Sequence, residues 1–179
     1  MIGYDEELCT RFAYETARAL GQEIARAGLV LVTGGRQGVM KAASQGAKEI
    51  GGMTIGIVPW DSTEKANEFC DAVVATGVGQ MRNFFVVYSG DAVIVVGGGA
   101  GTMIEVVAAY LKGKPIVAIR GTGGMADRLA GRYIDERRVV KITGVGNPSE
   151  AVKKVLQLLH HTSRRKAASK EDNSTSGSQ

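Results

Sequence analysis

Residues 91–105 read Asp-Ala-Val-Ile-Val-Val-Gly-Gly-Gly-Ala-Gly-Thr-Met-Ile-Glu, a stretch that can do chemistry almost without side chains. The apolar run from Ala92 to Val96 suits a strand buried on both faces of a parallel sheet. Gly98, Gly99 and Gly101 then let the backbone turn sharply and approach a ligand with no Cβ between them. A helix expected from Thr102 aims its unpaired N–H groups and positive dipole end at that loop, which favours a phosphate or carboxylate there. A second glycine loop, Thr33-Gly34-Gly35-Arg36-Gln37-Gly38, follows the apolar residues 29–32. Either loop alone reads equally well as a tight turn, and neither matches the dinucleotide or P-loop fingerprint. Two of them on neighbouring strand ends argue for an anion-binding site.

Few side chains near these loops carry chemistry. Thr102-x-x-Glu105 matches a capping box, in which the two side chains satisfy free N–H groups at a helix start. Glu105 is alternatively a carboxylate beside the anion site, fit for general acid/base work or for stabilising a cation. Arg82, on the preceding helix, is either a surface charge or a fork for a phosphate. His160 and His161 sit at the end of the last helix, away from both loops. No cluster has metal-ligand spacing, and Cys9 and Cys70 read as free thiols of a reducing compartment.

The elements that must position these residues follow from periodicity. Helices are expected over 5–27, 39–50, 81–89 and 102–112, and over a last segment capped by Asn147 with Pro148 at its first position. In the first of these, Leu8, Phe12, Ala13, Ala17, Leu20 and Ile24 form the apolar face. Strands are expected over 29–32, 53–58, 71–76, 92–96, 115–119 and 139–142, and residues 125–132 are left unassigned. Strands alternating with helices imply an α/β fold, a doubly wound parallel sheet with helices on both faces that binds ligands beyond its carboxyl edge. Residues 1–161 form one domain on this reading, and the polar, serine-rich residues 162–179 form a disordered tail.

Composition limits the partners. Hydrophobic residues make up 44% and charged residues 22%, values of a globular domain, and the 25 glycines fall mostly at strand ends. Half of the formal charge of +4 lies in the tail, and no basic stripe with interleaved aromatics appears, which argues against a nucleic-acid partner. No signal-peptide layout or membrane-length apolar run is present, so a cytoplasmic protein is expected.

Gly98-Gly99-Ala100-Gly101-Thr102-Met103-Ile104-Glu105 resembles the PGGxGTxxE motif of the LOG family, the cytokinin-activating phosphoribohydrolases. The likeness runs from about Tyr4 to His160. It includes Leu31 to Met40, Gly51 to Pro59 and Met81-Arg82, with Arg82 lying 23 residues before Glu105 as the family's catalytic arginine does. The resemblance implies a Rossmann-like fold and hydrolysis of the N-glycosidic bond of a nucleoside 5′-monophosphate, with no cofactor required. Arg82 and Glu105 would be catalytic. Gly98, Gly99, Gly101 and Thr102 would hold the phosphate; Gly34, Gly35, Gly38 and Met40 would wall the nucleotide pocket beside Asn83. It also implies a homodimer or higher homo-oligomer with sites near the subunit interface.

Three positions depart from that pattern. Gly97 stands where the enzymes have proline, and Asn83 where they have lysine. The chain also begins where the family has completed its first strand, and Met1-Ile2-Gly3 is not expected to replace it. The start is then truncated or misassigned, or the sheet is a strand short. The Met81-Arg82-Asn83 and Gly97-Gly98-Gly99 patterns resemble a sister branch that includes molybdenum-cofactor carrier proteins. That branch implies a bound phosphorylated pterin and no reaction.

Overall fold

The computed structural model describes residues 1–175, with side chains described through residue 162 and at 164. Strands β1 (Ile2–Gly3), β5 (Val93–Val96), β6 (Ile116–Ile119) and β7 (Thr143–Val145) pair in that order. Strands β2 (Leu31–Thr33), β3 (Thr54–Val58) and β4 (Ala72–Ala75) pair likewise, and every pairing is parallel. The Met1 nitrogen donates to the Val32 carbonyl at 2.7 Å, which sets β1 alongside β2. The strand order therefore reverses at β1 and β5, the switch point where open α/β sheets bind ligands.

Among the described residues, six α-helices flank the strands: α1 (Arg11–Arg26), α2 (Val39–Lys48), α3 (Arg82–Ser89), α4 (Ala100–Leu111), α5 (Gly124–Leu129) and α6 (Pro148–Thr175). Strand side chains alternate between two cores, as the period of two requires. Ile94, Val96, Val117 and Ile119 pack with Leu20, Val39 and Val155 on the α1, α2 and α6 side. Val93, Val95, Ile116 and Ala118 pack with Val86, Val106 and Tyr110 on the α3 and α4 side. Among the described residues, no helix is long and apolar enough to cross a membrane.

Several expectations are corrected. Ile2–Gly3 does form a first strand, in register with Val95 and Val96. Two residues suffice because Gly3 lets the chain lie against its neighbours: a Cβ there would stand 2.0 Å from the Val96 carbonyl oxygen. The first helix begins at Arg11, capped by Thr10, whose Oγ1 accepts from the Ala13 N–H at 3.1 Å. Glu6–Leu8 is a separate 3-10 turn that leaves Leu8 exposed, and Phe12, though inside α1, faces solvent rather than the core.

The last strand falls at Thr143–Val145, not 139–142. Ile142 is fully buried, but its backbone bonds to Arg132 and Gly131 in the preceding loop, leaving the next three residues to pair with β6. Residues 125–132, unassigned from sequence, contain most of α5. The Asn147 cap on α6 is present, with Oδ1 accepting from the Glu150 N–H at 2.9 Å. That helix is described as far as Thr175, past residue 161; residues 176–179 of the expected tail lie outside the described residues.

Gly3→Ala tests the two-residue strand. The added methyl meets backbone on a core strand, so overpacking should cost about 2–3 kcal/mol of stability in urea unfolding. A loss below about 0.5 kcal/mol would contradict this reading of β1.

Candidate functional site

The turn after β5 is shaped by its glycines. Gly97 has φ of +62°, and a Cβ on it would lie 2.1 Å from the Tyr4 ring. Proline, fixed near −65°, cannot adopt that conformation. The residue that replaces the family's proline is thus demanded here by Tyr4. The loop is fastened from the other side by the Gly97 N–H donating to Thr122 Oγ1 at 2.9 Å, and by Gly98 O accepting from the Met125 N–H.

Helix α4 starts two residues earlier than expected, at Ala100, with Gly99 at its N-cap. Thr102 is therefore its third residue and Glu105 its sixth, so the pair is not a capping box. Thr102 Oγ1 instead donates to the Gly3 carbonyl at 3.2 Å. The N–H groups of Ala100, Gly101 and Thr102 have no acceptor within the helix and form its positive end.

Arg82 and Glu105 meet in the interior. Both are about 5% exposed, with Arg82 Nη1 donating to Glu105 Oε1 at 3.4 Å and to Asn83 Oδ1 at 2.7 Å. The guanidinium lies against Gly34: a Cβ on that glycine would be 2.7 Å from Nη1 and 2.9 Å from Cζ. Arg82 Nε is buried with no hydrogen-bond partner. Asn83 is buried too, and its amide nitrogen would be 3.7 Å from a Cβ on Gly101. Burial pushes the Glu105 carboxyl up to about 7, and the Arg82 charge only partly opposes it. Burial likewise draws the Arg82 guanidinium below its usual value, against the pull of Glu105.

These groups line one cleft of about 210 Å³ at the switch point. Of the residues expected from sequence, Arg82, Asn83, Glu105, Gly34, Met40, Gly99, Gly101 and Thr102 border it. Gly35, Gly38 and Gly98 do not. All three have positive φ and shape the loops behind the lining. Asp5, Glu7, Leu8, Arg36 and Gln80 also border the cleft and were not singled out. Asp5 falls at the start of the helix expected over 5–27, and Arg36 within the second glycine loop, so neither position carries a signal of its own. Among the described residues, no group of three or more His, Cys, Asp or Glu could hold a metal ion.

Comparison with known proteins agrees with this architecture. The model of the SLOG cluster4 family matches residues 1–152. The crystal structure of TM1055 superposes with a TM-score of 0.81 at 37% identity, covering 87% of this chain and 96% of that one. The molybdenum cofactor binding protein of Rippkaea orientalis gives a TM-score of 0.78 at 34% identity, covering 88% and 94%. The molybdenum cofactor carrier protein of Chlamydomonas reinhardtii gives 0.77 at 33%, covering 89% and 96%.

The raised Glu105 pKa makes stability depend on pH with a definite sign. Between the ordinary value of 4.5 and about 7 the folded state holds more protons than the unfolded state. The contribution of Glu105 to stability should therefore fall as pH rises through that window, by up to about 1.4 kcal/mol per unit, while the buried Met1 amino group, lowered from 8.0 to about 6, acts in the opposite direction between 6 and 8 in both proteins. Glu105→Gln should remove this slope when unfolding curves of the two proteins are compared from pH 5 to 8. An identical slope in both would refute the burial account.

Proposed function

The chain belongs to the SLOG cluster4 family, and on that premise we propose that it is a binding protein that holds a phosphorylated pterin, the molybdenum cofactor, without transforming it. The α4 start and the Gly99, Gly101 and Thr102 backbone cradle the phosphate, with Gly98 shaping the turn behind them, and Arg82 supplies the buried positive charge. Asn83 closes that end, while Gly34, Gly35, Gly38 and Met40 shape the opposite wall. The named activities of the Rippkaea and Chlamydomonas proteins support this reading.

One observation carries it: the buried guanidinium of Arg82 and the free N–H groups at the start of α4 border the same cleft, with the buried amide of Asn83 rather than a lysine beside them. Burial pushes the Glu105 carboxyl next to them up to about 7. A phosphate seated one helical turn away disfavours the ionised form further. Asn83, in place of a lysine, adds no cation to offset that effect. Protonated Glu105 can donate a hydrogen bond to an anion, whereas stabilising an oxocarbenium-like ribose needs its ionised form.

The phosphoribohydrolase reading keeps one observation in its favour, the contact between Arg82 and Glu105 at 3.4 Å. Above pH 7 an ionised Glu105 would face the ribose of a nucleoside 5′-monophosphate. The two readings separate on incubation of the protein with nucleoside monophosphates at pH 8. A carrier releases no base, and protein purified from cells making molybdenum cofactor carries molybdenum that Arg82→Ala reduces at least tenfold. Base release abolished by Glu105→Gln would establish the enzyme instead.

The outer faces of the adjacent helices α3 and α4 expose Phe85, Tyr88, Ile104 and Leu111, with Met81 just before α3. We propose that this apolar face pairs two copies and brings the partner beside Arg82 and Glu105. Sedimentation of the protein at micromolar concentration should show a dimer that Phe85→Glu with Ile104→Glu converts to monomer. A monomeric native protein would contradict the pairing. A cytoplasmic setting is proposed as well, where Cys9 and Cys70, both unpaired in the structure, stay reduced.

A further inference from the structure

On the border of the same cleft stands an ion pair whose guanidinium lies over an aromatic ring. Asp5 Oδ2 contacts Arg36 Nη2, and each side chain is one-third exposed. The Arg36 guanidinium carbon lies 5.8 Å from the centroid of Trp60. Its backbone is fixed by Asn67, which is buried: Nδ2 donates to Arg36 O at 3.0 Å and the Asn67 N–H donates to Gly35 O at 2.9 Å. Asp5 is equally fixed, since its backbone abuts Gly38. The contact with Arg36 engages one carboxylate oxygen of Asp5, Oδ2. Both residues border the same cleft as Arg82 and the α4 start.

We propose that Asp5 and Arg36 read the ring of the ligand and select the 2-amino-4-oxo edge that guanine and pterins share; this rests on the phosphate-cradle reading above. That edge runs from an oxygen acceptor to a ring N–H and then to an amino group. A carboxylate accepts from the two adjacent donors in a fork, and the neighbouring guanidinium donates to the oxygen. Adenine offers a ring lone pair beside its single amino group, so Asp5 would face a lone pair where it needs a donor. An unmatched, partly desolvated carboxylate is costly, and a tenfold preference needs only about 1.4 kcal/mol. The phosphate occupies Arg82 and the α4 end, which leaves Asp5 and Arg36 for the ring.

Trp60 is the sole tryptophan of the sequence, so its emission reports events beside Arg36. The intact protein is titrated with ribose 5-phosphate, GMP, AMP and neopterin monophosphate by calorimetry and Trp60 fluorescence. GMP should bind at least tenfold more tightly than AMP and change the emission. Asp5→Asn should bring the GMP to AMP ratio close to one while ribose 5-phosphate binding is unchanged. Neopterin monophosphate outcompeting GMP identifies a pterin as the natural source of the edge, and the reverse order identifies a guanine nucleotide. Equal affinity for GMP and AMP in the native protein overturns the inference, whatever the variant does. An unaltered ratio in Asp5→Asn overturns the role of that residue. If ribose 5-phosphate itself does not bind, the cradle reading fails and this inference falls with it.

Discussion

The passage of the chain from Gly3 to Asp5 holds both halves of the sheet and the site together. The absence of a Cβ on Gly3 lets β1 press against β5, and its carbonyl accepts from Thr102 at the start of α4. Tyr4 bonds through its N–H to Val96 and through its carbonyl to the Val39 N–H of α2. The Tyr4 ring covers Gly97 and fixes the glycine turn, and the next residue, Asp5, contacts Arg36. Three residues thus join β5, α4, α2 and the second glycine loop. The cleft exists because they leave a gap between those elements at the carboxyl edge of the sheet.

Within that frame the electrostatics are decided by burial. A buried guanidinium and a buried carboxyl separated by 3.4 Å would usually be read as an ion pair. Here desolvation outweighs the attraction and raises the acid well above the usual carboxylate range. Arg82, Arg36 and the helix end thus bring positive charge to the cleft, against Asp5, Glu7 and Glu105 on its border. The same balance explains why residues shared with hydrolases do not by themselves specify hydrolysis.

Much of the architecture was legible because it rests on local signals. The apolar run before Gly97 and the alternation of strands with helices led to a parallel sheet with covered faces. Arg82 and Glu105 were legible through their spacing within a motif. The extent of β1 was not, because two residues carry no periodicity and Gly3 matters through contacts made 93 residues away. The capping box misled for a related reason: the glycines let α4 begin before Thr102, which freed that hydroxyl for Gly3. Asp5 and Arg36 escaped notice because their proximity is set by the fold and by Asn67, neither of which has a local pattern.

The central claim is that the cleft between β1 and β5 holds a phosphorylated ligand intact. A crystal structure of the protein grown with GMP above pH 7 tests it most directly. The account predicts unbroken nucleotide, with the phosphate on the N–H groups of Ala100 to Thr102 and the base against Asp5 and Arg36. Ribose 5-phosphate alone in the cleft, or a phosphate bound elsewhere on the surface, would contradict it.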